Sequence, residues 1–225
     1  MVMITYEQFI KEGVYDPNIF KAVFMAGGPG SGKSFIANRT TGGLGLKIIN
    51  SDAPFERFLK REGLSLKMPE SETEKRDVER ERAKKVTASK KFHAVKGRLG
   101  IIIDGTGHKY DKVADQAKML QQIGYETSMV FVNTSLEVAL ARNEQRARSV
   151  KPTIVKKSWQ DVQNNMGKFQ NFFGLSRFFI VDNNGVEEDM LEISTKHIRR
   201  AISSPVNNKI ATAWIANEMK KKDRS

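Results

Sequence analysis

Residues 20–34 read FKAVFMAGGPGSGKS, and the reading of this stretch decides the fold. A short apolar strand, residues 22–26, runs into a glycine-rich turn and then into a helix. Gly27, Gly32, Lys33 and Ser34 fit G-x-x-x-x-G-K-[ST], the phosphate-binding P-loop pattern. Glycines let a backbone turn tightly and aim successive N–H groups inward as an anion nest. In this reading Gly28, Pro29, Gly30, Ser31 and Gly32 form the cradle. The helix that starts near Lys33 adds its positive dipole end and its unpaired N–H donors. Lys33 supplies a point charge for the β- and γ-phosphates, and the Ser34 hydroxyl is placed to ligate Mg²⁺. A chance glycine-rich loop would lack both the apolar strand before it and the helix-compatible SFIANRT after it.

At 225 residues the chain suits one domain with a full core. Its 39% hydrophobic and 28% charged residues are ordinary for a globular protein. No run of 18 apolar residues occurs and no apolar signal-like core lies near Met1, so a cytoplasmic protein without a membrane span is expected. The absence of cysteine excludes disulfides and thiolate metal sites. His93, His108 and His197 lie far apart without ligand spacing, which argues against zinc. The net charge of +12 has two readings: an anionic partner such as nucleic acid or a phosphorylated metabolite, or solubility with a basic tail.

Residues 1–19 read as an extension with a short helix capped by Thr5 and closed by Gly13. After the P-loop helix, Gly42, Gly43 and Gly45 mark a loop, and residues 46–50 form a second strand that ends at Ser51-Asp52. Ligands of open parallel sheets sit outside the carboxyl ends of strands, where Asp52 would lie; capping of the following helix, 53–63, is the other role open to it. Residues 64–98 are dense in charge. The mixed-sign first half reads as a solvated helical face, while the basic half, Lys84, Lys85, Lys90, Lys91, Lys96 and Arg98, is either solvated or lines a cleft or nucleic-acid track. The apolar run 99–104 is a buried central strand that carries Asp104 to the active edge beside the P-loop, to hold Mg²⁺ directly or through water. The Thr106 hydroxyl, in the turn after it, is a candidate substrate contact. A helix (109–124) and a fourth strand (125–133) follow. Ser135 then caps a helix over 136–149 in which Arg142 and Arg146, spaced i,i+4, share a face that can close over a triphosphate. Pro152 breaks this helix. Trp159, Val162, Met166 and Phe169 give the next one, 158–174, a core-facing stripe. Residues 177–185 form a fifth strand with a turn, of which 182–185 is placed to border an adenine. A helix over 187–202 completes a domain spanning 20–203. Residues 204–225 form a helical basic tail whose Trp214 and Ile215 dock on the domain or on a partner.

The order of these parts resembles the P-loop kinase group, in particular the zeta-toxin and polynucleotide 5′-hydroxyl kinase families, over about residues 20–185. The marks are GGPGSGKS (27–34), Ser51-Asp52, IIIDGTG (101–107) and ARNEQRAR (141–148). The resemblance implies an α/β P-loop NTPase fold of three layers, a five-stranded parallel sheet flanked by helices, with a charged helical insertion at about 64–98. It implies ATP and Mg²⁺ as cofactors and Asp52 as the general base that contacts the acceptor hydroxyl. Arg142 and Arg146 would form a lid over the phosphates, Arg148 would join Asp52 and Thr106 on the substrate side, and Asn183 would lie near adenine. The implied activity is transfer of the γ-phosphate to a hydroxyl acceptor on a nucleic acid (a 5′-OH end or modified base) or on a nucleotide. A nucleotide-sugar acceptor is the alternative within the family. A nucleic-acid-stimulated ATPase is the alternative of another class, disfavoured because Asp104 is followed by Gly105 rather than by a glutamate that activates water. A GTPase is disfavoured by the absence of Asn-Lys-x-Asp after a strand. The stretch 64–98 matches neither family, and acceptor specificity is expected there; the sequence leaves the oligomeric state open.

Overall fold

The computed structural model describes residues 13–40, 44–185 and 187–222; the helix expected before Gly13 and the glycines at 42 and 43 lie outside them. Five strands, β1 (Lys21–Ala26), β2 (Lys47–Ile49), β3 (Ile101–Asp104), β4 (Glu126–Asn133) and β5 (Phe178–Asp182), pair in parallel in the order β2-β3-β1-β4-β5. The helices are α1 (Lys33–Thr40), α2 (Asp52–Arg61), α3 (Thr73–Lys96), α4 (Tyr110–Gln122), α5 (Leu136–Glu144), α6 (Pro152–Phe173), α7 (Glu187–Ser203) and α8 (Lys209–Lys222). Parallel strands covered on both faces are apolar at successive positions, and all six residues of β1 are buried.

Strand alternation divides those residues between two cores. Val23, Met25, Val130 and Val132 face Ile36 of α1 and Met190, Ile198 and Ile202 of α7. Ala22, Phe24, Met129 and Phe131 face Ala94 of α3, Leu120 of α4, Val162 and Phe169 of α6, and Ala211 of α8. A satellite core of Phe55, Leu59 and Ala83 joins α2 to α3. The charged stretch is therefore the crossover that returns the chain from β2 to β3, fastened by small and apolar residues set among its charges. Among the described residues no helix is long and apolar enough to cross a membrane.

Two expected elements change. The arginine-bearing helix stops at Glu144 rather than continuing to 149. The Asn143 side chain explains the stop: its amide donates to the Val150 carbonyl (2.8 Å) and accepts from the Val150 N–H (3.0 Å), tying off a loop in place of another turn. Pro152 begins α6 instead of merely ending its predecessor, since a first-turn proline lacks only a donor that would be unpaired there anyway. At the tail, α8 docks on the domain.

Phe20 stands at the amino end of β1 with φ +58°, an unusual value for a bulky residue, and is fully buried. Its N–H donates to the Arg98 carbonyl (2.9 Å), and Tyr125 and Trp214 each meet its ring edge-on at 5.5 Å. Because Ala would hold the same backbone strain, Phe20→Ala isolates the packing of this junction. It is expected to cost about 3–5 kcal/mol in denaturant titration. Val78→Ala, at a position 65% exposed, should cost less than about 0.5 kcal/mol.

Candidate active site

The carboxyl ends of β1, β3 and β5 meet at the P-loop. The Gly27 N–H donates to the Thr106 carbonyl (3.0 Å) and the Gly105 N–H to the Met25 carbonyl (3.4 Å), so the turn after β3 is stitched to the start of the loop. Gly30 (φ +81°) lies against the Ala139 carbonyl of α5, and Gly32 (φ +88°) against the Asn183 amide; a Cβ at either would overlap these neighbours. Asn183, buried at the end of β5, donates from Nδ2 to the Ser31 carbonyl (2.7 Å). Its own carbonyl accepts from Arg142 Nη1 (2.9 Å). Asn183 thus braces the loop from behind and does not line the pocket.

Lys33 opens α1 and is buried. Its ammonium donates to the Gly28 carbonyl (2.9 Å) and to Ser31 Oγ (3.1 Å). Burial, with Arg146 adding to it, outweighs the attraction of Asp104 and Asp52 and lowers its pKa from 10.5 to about 8. Ser34 Oγ donates to Asp104 Oδ2 at 2.7 Å, and the Asn50 amide reaches the same oxygen. A hydroxyl and a carboxylate beside a phosphate cradle are the hard oxygen donors that Mg²⁺ takes from protein. Among the described residues no three acidic or histidine side chains converge, so a cation here would complete its shell with phosphate and water oxygens.

Asp52 is the first residue of α2. Arg80 Nη1, from α3, lies 2.8 Å from its Oδ1, and Arg148 Nη2 lies 3.3 Å from the same oxygen. Burial works to raise the Asp52 carboxyl, but the Arg80 hydrogen bond and the charges of Arg148, Arg80 and Arg146 outweigh it and hold the pKa below the ordinary value. Arg148 also donates from Nε to Glu56 Oε1 (2.9 Å). The Phe55 ring carries both guanidiniums, at 4.8 Å for Arg80 and 5.8 Å for Arg148.

These groups line one pocket of about 360 Å³. Pro29, Gly30, Gly32, Lys33 and Ser34 of the P-loop and α1 line it together with Asp104, Gly105 and Thr106 at the carboxyl end of β3, and with Asp52 of α2 and Arg80 of α3. Arg142, Arg146 and Arg148 reach in from α5 and the loop beyond it. Gly28 and Ser31 contribute through their bonds to Lys33 and do not line the pocket. Thr106 Oγ1 is bonded to His108 Nδ1, and Asn165 of α6 holds the Gly107 and His108 carbonyls at 3.1 and 3.0 Å.

One expectation is corrected by this geometry and two others are refined. Arg142 and Arg146 do not share a helical face, because α5 ends between them; a turn brings Arg146 to the pocket. Of the two readings left open for the basic half of 64–98, lining of this pocket is not observed, whereas Arg80 of the mixed-sign half, read as a solvated face, does line it. Asn183, expected near adenine, has its amide engaged by the P-loop. Sequence reading also missed Asn50, which accepts from the Asp52 N–H and donates to Asp104 and so joins the two acidic residues. Its place at the carboxyl end of β2 was the available signal. Arg80 carried none, being one cation among many on a long helix.

The sequence model of the zeta toxin family matches residues 11–190. A search of the curated proteins finds no relative of the chain. Among solved structures, a gluconokinase from Sinorhizobium meliloti 1021 is similar with a TM-score of 0.52 at 14% identity, over 82% of this chain and 95% of that one. A structure from the PezAT chromosomal toxin–antitoxin system of Streptococcus pneumoniae gives 0.51 at 17% identity, over 81% and 87%. At these identities the structures speak for the fold, which is that of P-loop kinases. With four-fifths of its length matched by the family's sequence model, the chain belongs to the zeta toxin family.

Proposed function

We propose that the chain transfers the γ-phosphate of ATP to a hydroxyl on a nucleic acid or nucleotide. The observation that carries this reading is a carboxylate, Asp52, set in the same pocket as the P-loop lysine and held ionised by arginines. Lys33 leaves Gly28 and Ser31 for the β- and γ-phosphates, and Arg142 and Arg146 take up charge that spreads over the transferring group. Ser34 and Asp104 would hold Mg²⁺, which neutralises charge on the bridging phosphates when bound. The acceptor oxygen bonds to the γ-phosphorus as the bond to the β–γ bridging oxygen breaks; ADP leaves, and the acceptor proton passes to Asp52. A carboxylate of depressed pKa is a weak base, suited to orienting the hydroxyl and taking its proton late in a loose transition state.

The net charge of +12 supports a nucleic-acid or nucleotide acceptor. One observation favours a small acceptor, such as a nucleotide or nucleotide-sugar. Arg148 bridges to Asp52 and Glu56, and Lys151 to Glu70, so the loop after α5 spans the mouth toward α2 and the turn before α3.

The test is transfer from γ-labelled ATP with Mg²⁺ to a panel of 5′-hydroxyl DNA and RNA oligonucleotides, modified-base DNA, nucleosides, nucleotides and nucleotide-sugars. Label should enter one acceptor class and fall about 100- to 10,000-fold in Asp52→Ala. Label found only as free phosphate, stimulated by nucleic acid and unchanged in the variant, would replace the kinase with an ATPase. The pH dependence follows from Lys33, which in the free protein is charged below about pH 8 and neutral above it. Accordingly kcat/KM for ATP should decline as pH rises through about 8, while kcat holds to higher pH because bound phosphates keep the proton on. Lys33→Arg should remove that alkaline decline.

A further inference from the structure

We propose that Arg80 recognises the acceptor, and that the acceptor carries a phosphate group near the hydroxyl that is phosphorylated. This rests on the reading of Asp52 as the acceptor-side carboxylate and names the class of molecule it serves.

The first ground is crowding. Arg80 and Arg148 both converge on Asp52 Oδ1, while Oδ2 has no hydrogen-bond partner among the described residues and is left for the acceptor hydroxyl. The two arginines are not equally committed. Arg148 is held by Glu56 as well, and its side chain is 12% exposed. Arg80 makes one hydrogen bond, to Asp52, and its side chain is 35% exposed. A guanidinium has five N–H donors in a fixed fork, so Arg80 retains donors for a second anion. The Phe55 ring at 4.8 Å supports its plane, the arrangement in which a fork binds two phosphate oxygens side by side.

The second ground is charge. Five cations, Lys33, Arg80, Arg142, Arg146 and Arg148, line the pocket against two carboxylates, Asp52 and Asp104. The P-loop side engages Lys33, Arg142 and Arg146 with the triphosphate; on the other side Arg148 is shared between Asp52 and Glu56, which leaves Arg80 as the cation whose remaining donors face the pocket. A neutral acceptor would leave Asp52 under both guanidiniums. A phosphate-bearing acceptor draws Arg80 onto itself, and the charge holding down the Asp52 basicity relaxes as the hydroxyl arrives. The shared chemistry is the phosphate oxygen pair, whether of a monoester or of a nucleic-acid diester.

The test fills the P-loop with the magnesium complex of a non-hydrolysable ATP analogue and titrates inorganic phosphate by calorimetry. Phosphate should bind the wild type, bind Arg80→Ala at least about tenfold more weakly, and bind Arg80→Lys with intermediate affinity. Retained binding of the ATP analogue shows that each variant is folded. Absence of binding to the wild type, or equal binding by Arg80→Ala, overturns the proposal. In the transfer assay, uridine is compared with uridine 5′-monophosphate and with the 5′-hydroxyl dinucleotide UpU, which separates monoester from diester. A phosphate-bearing member should be preferred by the wild type and lose its advantage in Arg80→Ala; equal use of all three overturns the proposal. Failure of transfer to every acceptor would count against the kinase reading and leave the phosphate titration to decide the role of Arg80.

Discussion

A buried ammonium ion governs this architecture. Lys33 sits out of water within the nest of its own loop, and an ion so placed persists only if its donors are met and opposite charge lies near. The Gly28 carbonyl and Ser31 hydroxyl supply the bonds, and Asp104 the nearby charge. Each depends on a different part of the chain. Asn183 at the end of β5 fixes Ser31, the Thr106 carbonyl fixes Gly27, and β3 delivers Asp104 beside β1 in register with Met25. The strand order is what allows it: β1 lies between β3 and β4, so both halves of the sheet can brace one loop.

The other side of the pocket is ordered by ion pairs rather than by backbone. The loop after α5 exists because Asn143 closes it on Val150, and it is held down chiefly through Arg148. The Lys151–Glu70 pair adds little, since both side chains stand in water. The P-loop is therefore braced by backbone and buried hydrogen bonds, whereas Asp52 and the loop after α5 are held by ion pairs that charge can rearrange.

The parts legible in the sequence were those whose cause is local. An apolar run between glycines gives a covered parallel strand, so β1, β3 and β4 stood out, and strand ends located Asp52 and Asp104. The P-loop was legible because a phosphate cradle needs glycines at fixed spacing. The stop of α5 was not, because it depends on one asparagine bonding seven residues ahead, and LEVALARNEQRARS is helix-compatible throughout. Arg80 was hidden for a related reason. The 24-residue α3 has cations at many positions, and only the packing of Leu59 against Ala83 sets which of them faces Asp52. Asn183 sat where ligands of parallel sheets gather, but its side chain is used by the protein's own backbone.

The edge-on contact of Phe20 with Trp214 links the order of synthesis to the order of assembly. Phe20 leads directly into β1 and the P-loop, so these are among the earliest parts of the sheet to be translated, yet Trp214 of α8 is among the last residues described. Without α8, the edge of Phe20 that meets Trp214 and the side of Gly124 that meets Ala211 have no cover. A chain made only through β5 thus lacks the groups that cover this apolar seam at the amino-terminal end of β1. Closure of that seam depends on a helix that follows all five strands in the chain, so the strand that feeds the phosphate cradle is consolidated only after the rest of the sheet has been made.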